Sequence, residues 1–170
     1  MNSMKEIKLD KITLNFGAGS SNDVLEKGLK LLQSLSGGTP IKTITKKRIP
    51  TWGVRPGLAV GCKVTIRGKK ADELLSRLLK AVNNQLPERK FDTHGNLSFG
   101  IKEYLDIPGA KYDASIGIIG LEVAVTLKRA GFRVKNRRLK KASIPSRHLI
   151  SKNESIGFIK NKFNVEVITS

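Results

Sequence analysis

Two stretches decide the fold: Lys11-Ile12-Thr13-Leu14-Asn15-Phe16 and Val60-Gly61-Cys62-Lys63-Val64-Thr65-Ile66-Arg67. In both, apolar residues alternate with polar or cationic ones at period 2, the mark of a strand with one buried face. Ile12, Leu14, Phe16, Val60, Cys62, Val64 and Ile66 belong to the buried side. Lys11, Thr13, Asn15, Lys63, Thr65 and Arg67 then share the opposite face, spaced about 6–7 Å along each strand.

Working outward, Gly17-Ala18-Gly19 turns the chain and Ser20 to Asp23 supply helix-capping residues. Val24, Gly28, Leu31 and Leu35 form one stripe with Leu25, Leu29 and Leu32, predicting an amphipathic helix that stops at Gly37-Gly38. Ile41 to Thr45 reads as a short extended piece. A second helix is predicted to open at Asp72, with Leu74, Leu75, Leu78, Leu79 and Val82 on its apolar face, ending before Pro87. Leu97/Phe99/Ile101 and Leu121/Val123/Val125/Leu127 alternate as two further strands. Asp106 to Gly120 reads as a long loop. Ser151 and Glu154 form a capping box ahead of a last helix carrying Ile156, Ile159 and Phe163. Val165 to Ile168 reads as a closing strand. The expectation is an α+β fold in which helices pack on one face of a largely antiparallel sheet and the other face is polar and basic. A single domain over residues 1–170 is expected, with a basic loop at 46–57 and a basic C-terminal extension over 129–170.

The 170 residues carry 32 Lys+Arg against 14 Asp+Glu, a formal net charge of +18. The charge is also segregated. Lys27 to Ala71 holds 11 cations and no acid, and Val123 to Asn153 holds 10 cations and no acid. Solubility needs only a modest net charge. Cations packed this densely repel one another unless a polyanion is bound, so the pattern reads as an electrostatic footprint for nucleic acid. Hydrogen-bonding and cationic side chains at strand pitch suit phosphates and ribose hydroxyls, and no helix shows a basic recognition face for a B-form major groove. Aromatic residues are 5% of the chain, too few for an extended stacking platform.

Other function classes find little support. No run of 18 apolar residues spans a membrane, and Met1 to Asp10 lacks the apolar segment of a secretory signal, so a cytoplasmic location is expected. A lone Cys62 excludes an internal disulfide framework, and its place on the apolar face makes it core rather than nucleophile. His94 and His148 have no evident carboxylate partners. Gly17 to Asn22 lies between strand and helix but lacks the third glycine of a dinucleotide fingerprint, so a turn with a helix cap explains it. No catalytic residue, metal site or cofactor is expected. Lys46 to Gly57 contains two prolines, two glycines and no apolar periodicity, and reads as an extended, mobile cationic loop. Its Trp52 either stacks on a base or folds back as a small anchor.

Several blocks taken together resemble one family: Lys11 to Gly19, Leu35-Ser-Gly-Gly-Thr-Pro40, Gly61 to Gly68, Phe91-Asp-Thr-His-Gly-Asn-Leu-Ser-Phe-Gly100 and Tyr112-Asp-Ala-Ser-Ile-Gly-Ile-Ile-Gly-Leu121. In this order, they are similar to the universal "L five" family of large-subunit ribosomal proteins, which holds 5S rRNA. Lys128 to Val134 and the tail beyond it resemble archaeal and eukaryotic members. The resemblance implies a non-enzymatic role in the central protuberance, with 5S rRNA on the polar sheet face and contacts to large-subunit rRNA. It also implies a neighbouring 5S-binding protein, a loop facing P-site tRNA and a bridge to a small-subunit protein. Asn15 and Thr65 match family positions that bond 5S rRNA, agreeing with the face containing Lys11, Thr13, Lys63 and Arg67. Gly38 stands where many bacterial relatives have Gln, so the RNA contact there is either lost in this chain or made by the backbone. The family's tRNA-facing loop falls on Lys46, Lys47, Arg48, Trp52 and Arg55. Two other readings stand beside it: a stand-alone RNA chaperone or translation regulator using the same basic face, and a nucleotide-dependent enzyme built on Gly17 to Asn22.

Overall fold

The computed structural model of the chain describes residues 2–168. Its elements in chain order are β1 (Ile7–Gly17), α1 (Asn22–Ser36), β2 (Ile41–Ile44), β3 (Ala59–Ile66), α2 (Lys69–Lys80), β4 (Gln85–Pro87), β5 (Leu97–Ile101), β6 (Leu121–Arg129), the single turn α3 (Arg133–Asn136), α4 (Lys152–Phe163) and β7 (Glu166–Ile168). Five strands form one antiparallel sheet in the order β2-β3-β1-β6-β5. The fold is α+β, as the alternation predicts.

The buried side of the sheet carries Ile12, Leu14, Phe16, Cys62, Val64, Ile66, Val123, Val125 and Phe99, all in one cluster with Leu25, Leu31 and Leu32 of α1 and Leu75, Leu78 and Leu79 of α2. Helix α1 approaches the sheet at Gly28, where an added Cβ would stand 2.1 Å from Phe16 Cδ1 and 3.1 Å from Cys62 Sγ. Only a residue without a side chain fits there, and that lets α1 lie close against β1 and β3. Val24, expected on the same stripe, is exposed. The helix ends where Gly37 takes φ 62°, its N–H donating to the Gln33 carbonyl, a conformation that favours glycine. At the other end Ser21 occupies the cap position but makes no side-chain capping bond.

Helix α2 starts at Lys69, three residues before the expected Asp72. Gly68, at φ 70°, turns directly out of β3 and leaves no room for a longer loop. The capping box of α4 forms as predicted: Ser151 accepts from the Glu154 N–H, and Glu154 accepts from the Ser151 N–H. Ile159 is fully buried, whereas Ile156 and Phe163 are half-buried at the margin. The closing strand β7 does not join the main sheet. It pairs in parallel with β4, a three-residue strand too short for periodicity to reveal.

Candidate nucleic-acid interface

The face of the sheet away from the helices is open. In the β1–β3 register Thr13 stands opposite Thr65 and Asn15 opposite Lys63. In the β1–β6 register Lys11 stands opposite Thr126, Thr13 opposite Ala124 and Asn15 opposite Glu122. Lys63, Thr65 and Arg67 are exposed, and Lys11, Thr13 and Asn15 are half-buried between their neighbouring strands. The structure therefore gathers six of the seven RNA-contact candidates singled out in the sequence on one surface.

Gly38 is not among them. It follows α1 on the helix side, where an added Cβ would touch Val64 Cγ2 at 3.4 Å. Its N–H donates to Ser36 Oγ at 3.0 Å, leaving only the carbonyl open to a ligand.

Two carboxylates interrupt the cationic face, and neither was expected there. Glu122 accepts from Asn15 Nδ2 at 3.0 Å. Asp10 sits at a bulge where the β1–β6 register skips from Leu9 to Lys11. From there it pairs with Lys128 Nζ at 2.9 Å and Arg67 Nη1 at 3.1 Å. Burial alone would raise its pKa, but the hydrogen bonds and charges of Lys128 and Arg67 outweigh that and hold the carboxyl below its ordinary value. Glu122 was legible, because it alternates outward from Leu121 and Val123. The bulge leaves no trace in the pattern.

The segment 46–57 is not an open loop. Ile49 N–H donates to the Val54 carbonyl at 2.9 Å and Val54 N–H returns to the Ile49 carbonyl at 3.1 Å. Thr45 N–H donates to the Leu58 carbonyl at 2.9 Å, so the segment extends the β2–β3 pair as a closed hairpin. Val54 is buried within the hairpin, outside the main core cluster. Pro50 starts a short 3-10 turn that puts Trp52 at the tip, 72% exposed. Lys46, Lys47, Arg48 and Arg55 all point into solvent, and among the described residues none of them makes an ion pair. Because the four side chains point outward into solvent, their mutual repulsion is screened and does not oppose the hairpin.

The remaining candidates are structural. Burial raises the pKa of the Cys62 thiol, which keeps it protonated and unreactive. His148 lies 2.9 Å from the Ala130 carbonyl through Nε2 and meets the Phe132 ring edge-on. In the loop over 106–120, Tyr104 Oη accepts from the Asp113 N–H at 3.1 Å while Ile107 and Ile116 are buried, so this segment is packed as well. Among the described residues no group of three His, Cys, Asp or Glu could hold a metal ion, and no helix is long and apolar enough to cross a membrane.

Residues 2–55 match the family model described as "Ribosomal protein L5", and residues 59–154 match the model of the C-terminus of the same ribosomal family. The "Large ribosomal subunit protein uL5" of Sulfurisphaera tokodaii is 48% identical over 169 residues, covering 99% of this chain and 96% of the relative. The protein of the same name from Methanococcus maripaludis strain C5 is 45% identical over 168 residues, covering 97% and 93%. That of Methanobrevibacter smithii is 40% identical over 169 residues, covering 99% of each.

Proposed function

The chain belongs to the ribosomal protein L5 family, whose members are structural proteins of the large ribosomal subunit and not enzymes, and on that premise we propose that it holds 5S rRNA in the central protuberance on its open sheet face. The observation that carries this reading is the paired set Thr13/Thr65, Asn15/Lys63 and Lys11/Thr126. Hydroxyl, amide and ammonium groups recur there at strand pitch on a surface that no helix covers. Short donors and acceptors at this spacing suit ribose hydroxyls and phosphates, which distinguish and position RNA. The net charge of +18 supplies the sequence-independent attraction.

In the same reading the protein is part of the cytoplasmic ribosome. There it touches large-subunit rRNA and a neighbouring 5S-binding protein, turns the hairpin with Trp52 toward P-site tRNA, and meets a small-subunit protein at an intersubunit bridge. A stand-alone RNA chaperone would use the same face but would leave the large subunit in a high-salt wash.

Recovery of bound RNA from cell extract tests the reading: a single species of 5S size is expected. Binding of purified 5S rRNA should weaken with salt at a log–log slope of roughly −4 to −7, for about six to ten phosphates neutralised. A mixture of RNAs without 5S enrichment, or a slope near zero, overturns it.

A further inference from the structure

Beyond β6 the chain does not trail away. It makes the turn of α3, runs out through Arg137 to Pro145 and comes back to α4 beside the β1–β6 end of the sheet. Arg129, the last residue of β6 and only 5% exposed, fastens this arm at its return. Its guanidinium donates to the carbonyls of His148 at 3.3 Å and Leu149 at 3.1 Å, and to Glu154 Oε1. The tip is braced too: Arg137 Nε donates to the Lys140 carbonyl at 2.7 Å, and Ala142 N–H to the Val134 carbonyl at 3.4 Å.

Between the arm and the β1–β6 end of the sheet lies a cleft of about 660 Å³, within the range that holds small ligands. Lys11 and Lys128 line it from the sheet, and Lys135, Asn136 and Lys141 from the arm, with Phe132 and Ile144 as apolar wall. The acid in its lining is Asp10, already shared between Lys128 and Arg67. Among the described residues Lys11, Lys135 and Lys141 have no ion-pair partner.

We propose that this cleft is a second RNA grip, taking the ribose–phosphate backbone of a strand that leaves the open face over the Lys11/Thr126 pair. The inference rests on reading that face as an RNA surface. It adds a separate, sequence-independent clamp built by the C-terminal arm. Cations on two opposed walls suit a linear polyanion passing between them. The amide of Asn136 supplies a donor and an acceptor for ribose hydroxyls. The Arg129 latch means the arm is ordered before RNA arrives, so little conformational entropy is lost on binding.

The test compares the intact protein with Lys135→Ala/Lys141→Ala on two RNAs, purified 5S rRNA and poly(U). Both lysines are exposed, so folding is not at stake. A backbone clamp contributes to both RNAs, and the salt slope should become shallower by about 1.4 on each, for two lost phosphate contacts. The control Lys80→Ala/Lys160→Ala removes equal charge from α2 and α4 and should leave the slope unchanged. In the parent complex Lys135 and Lys141 should be protected from reductive methylation. An unchanged slope on both RNAs, an equal loss in the control, or full methylation of the two lysines overturns the clamp. A parent that binds 5S rRNA no better than poly(U) would instead defeat the 5S reading, while poly(U) still reports on the cleft.

Discussion

Asn15 on β1 and Glu122 on β6 face each other directly across the open surface, and the Asn15 amide donates to Glu122 Oε2 at 3.0 Å. A carboxylate only accepts, so the contact sets the amide orientation: nitrogen inward to Glu122, oxygen presented to a ligand. What composition shows as a donor-and-acceptor side chain becomes a pre-set acceptor, matched to a ribose 2′-hydroxyl or a base amino group.

Asn15→Ala should therefore weaken 5S rRNA binding by about 1–3 kcal/mol, because truncation leaves a buried RNA donor unpaired. Thr65→Ala should act similarly from β3. Thermal unfolding should barely change, since both side chains point away from the core. Fluorescence anisotropy with labelled 5S rRNA measures the affinity. A variant that unfolds while its folded fraction keeps the parent's affinity, or one that stays folded and binds like the parent, would show that the open face is not the RNA surface.

Asp10 restrains two cations of that surface, and Asp10→Asn should release them. At low salt the variant should bind RNA more tightly, with a slope steeper by up to about 1.4, for two phosphates gained. Stability should move the other way. Because the Asp10 carboxyl titrates below its ordinary value in the fold, its contribution is present above the ordinary aspartate pKa and lost as pH falls through the lowered one. The parent should thus exceed the variant in stability at neutral pH, and the two should converge in acid. Arg67 and Lys128 are 58% and 44% exposed, which limits the gap to about 0.2–1 kcal/mol. Melting curves taken from neutral to acid pH read it directly, and a gap that widens toward acid would refute the assignment.

Gly28→Ala tests the seating of α1. The added methyl would stand 2.1 Å from Phe16 Cδ1 and 2.5 Å from Cε1, overlapping a ring that is itself buried. Overpacking of this kind costs about 1–3 kcal/mol, read as a lower melting temperature. The surviving folded protein should bind 5S rRNA normally, because the strain falls on the covered side of the sheet. An unchanged melting temperature would mean that α1 shifts freely on the strands.

The parts of this molecule legible in the sequence are those where one residue decides one face. Alternation in β1, β3, β5 and β6 separated covered from open residues, and the leucines of α2 marked its buried stripe. What escaped depends on neighbours in space. Glu122 was visibly outward, but only the strand order puts it beside Asn15. Asp10 reaches Arg67 and Lys128 through a bulge that alternation does not show. β4 and β7 hold each other with three residues apiece. The arm over 129–150 has no period at all, because it is tied by one guanidinium to backbone carbonyls and Glu154 rather than by an apolar stripe.

The hairpin over 46–57 supports the last prediction. Its two ends are joined by backbone bonds and Val54 is buried, so its four cations and Trp52 can be replaced without loosening the sheet. It projects beyond β2 and β3, away from the Thr13/Thr65 centre of the open face. Lys46→Ala/Lys47→Ala/Arg48→Ala/Arg55→Ala should accordingly leave 5S binding nearly intact. P-site tRNA retention on reconstituted ribosomes should fall by a modest factor, since exposed charge contacts are individually weak. Trp52→Ala should reduce retention as well, by up to about 1–3 kcal/mol if the indole stacks on a base. Because Pro50 and the Ile49–Val54 rungs hold the tip in place, the tryptophan needs no reordering before contact. Its loss should thus appear in the tRNA off-rate more than in the on-rate. Filter binding on mutant and parent ribosomes of equal 5S content separates the possibilities. Retention unchanged in both variants, or loss of 5S rRNA from the ribosomes, would show that the hairpin anchors the protein to ribosomal RNA instead of reaching tRNA.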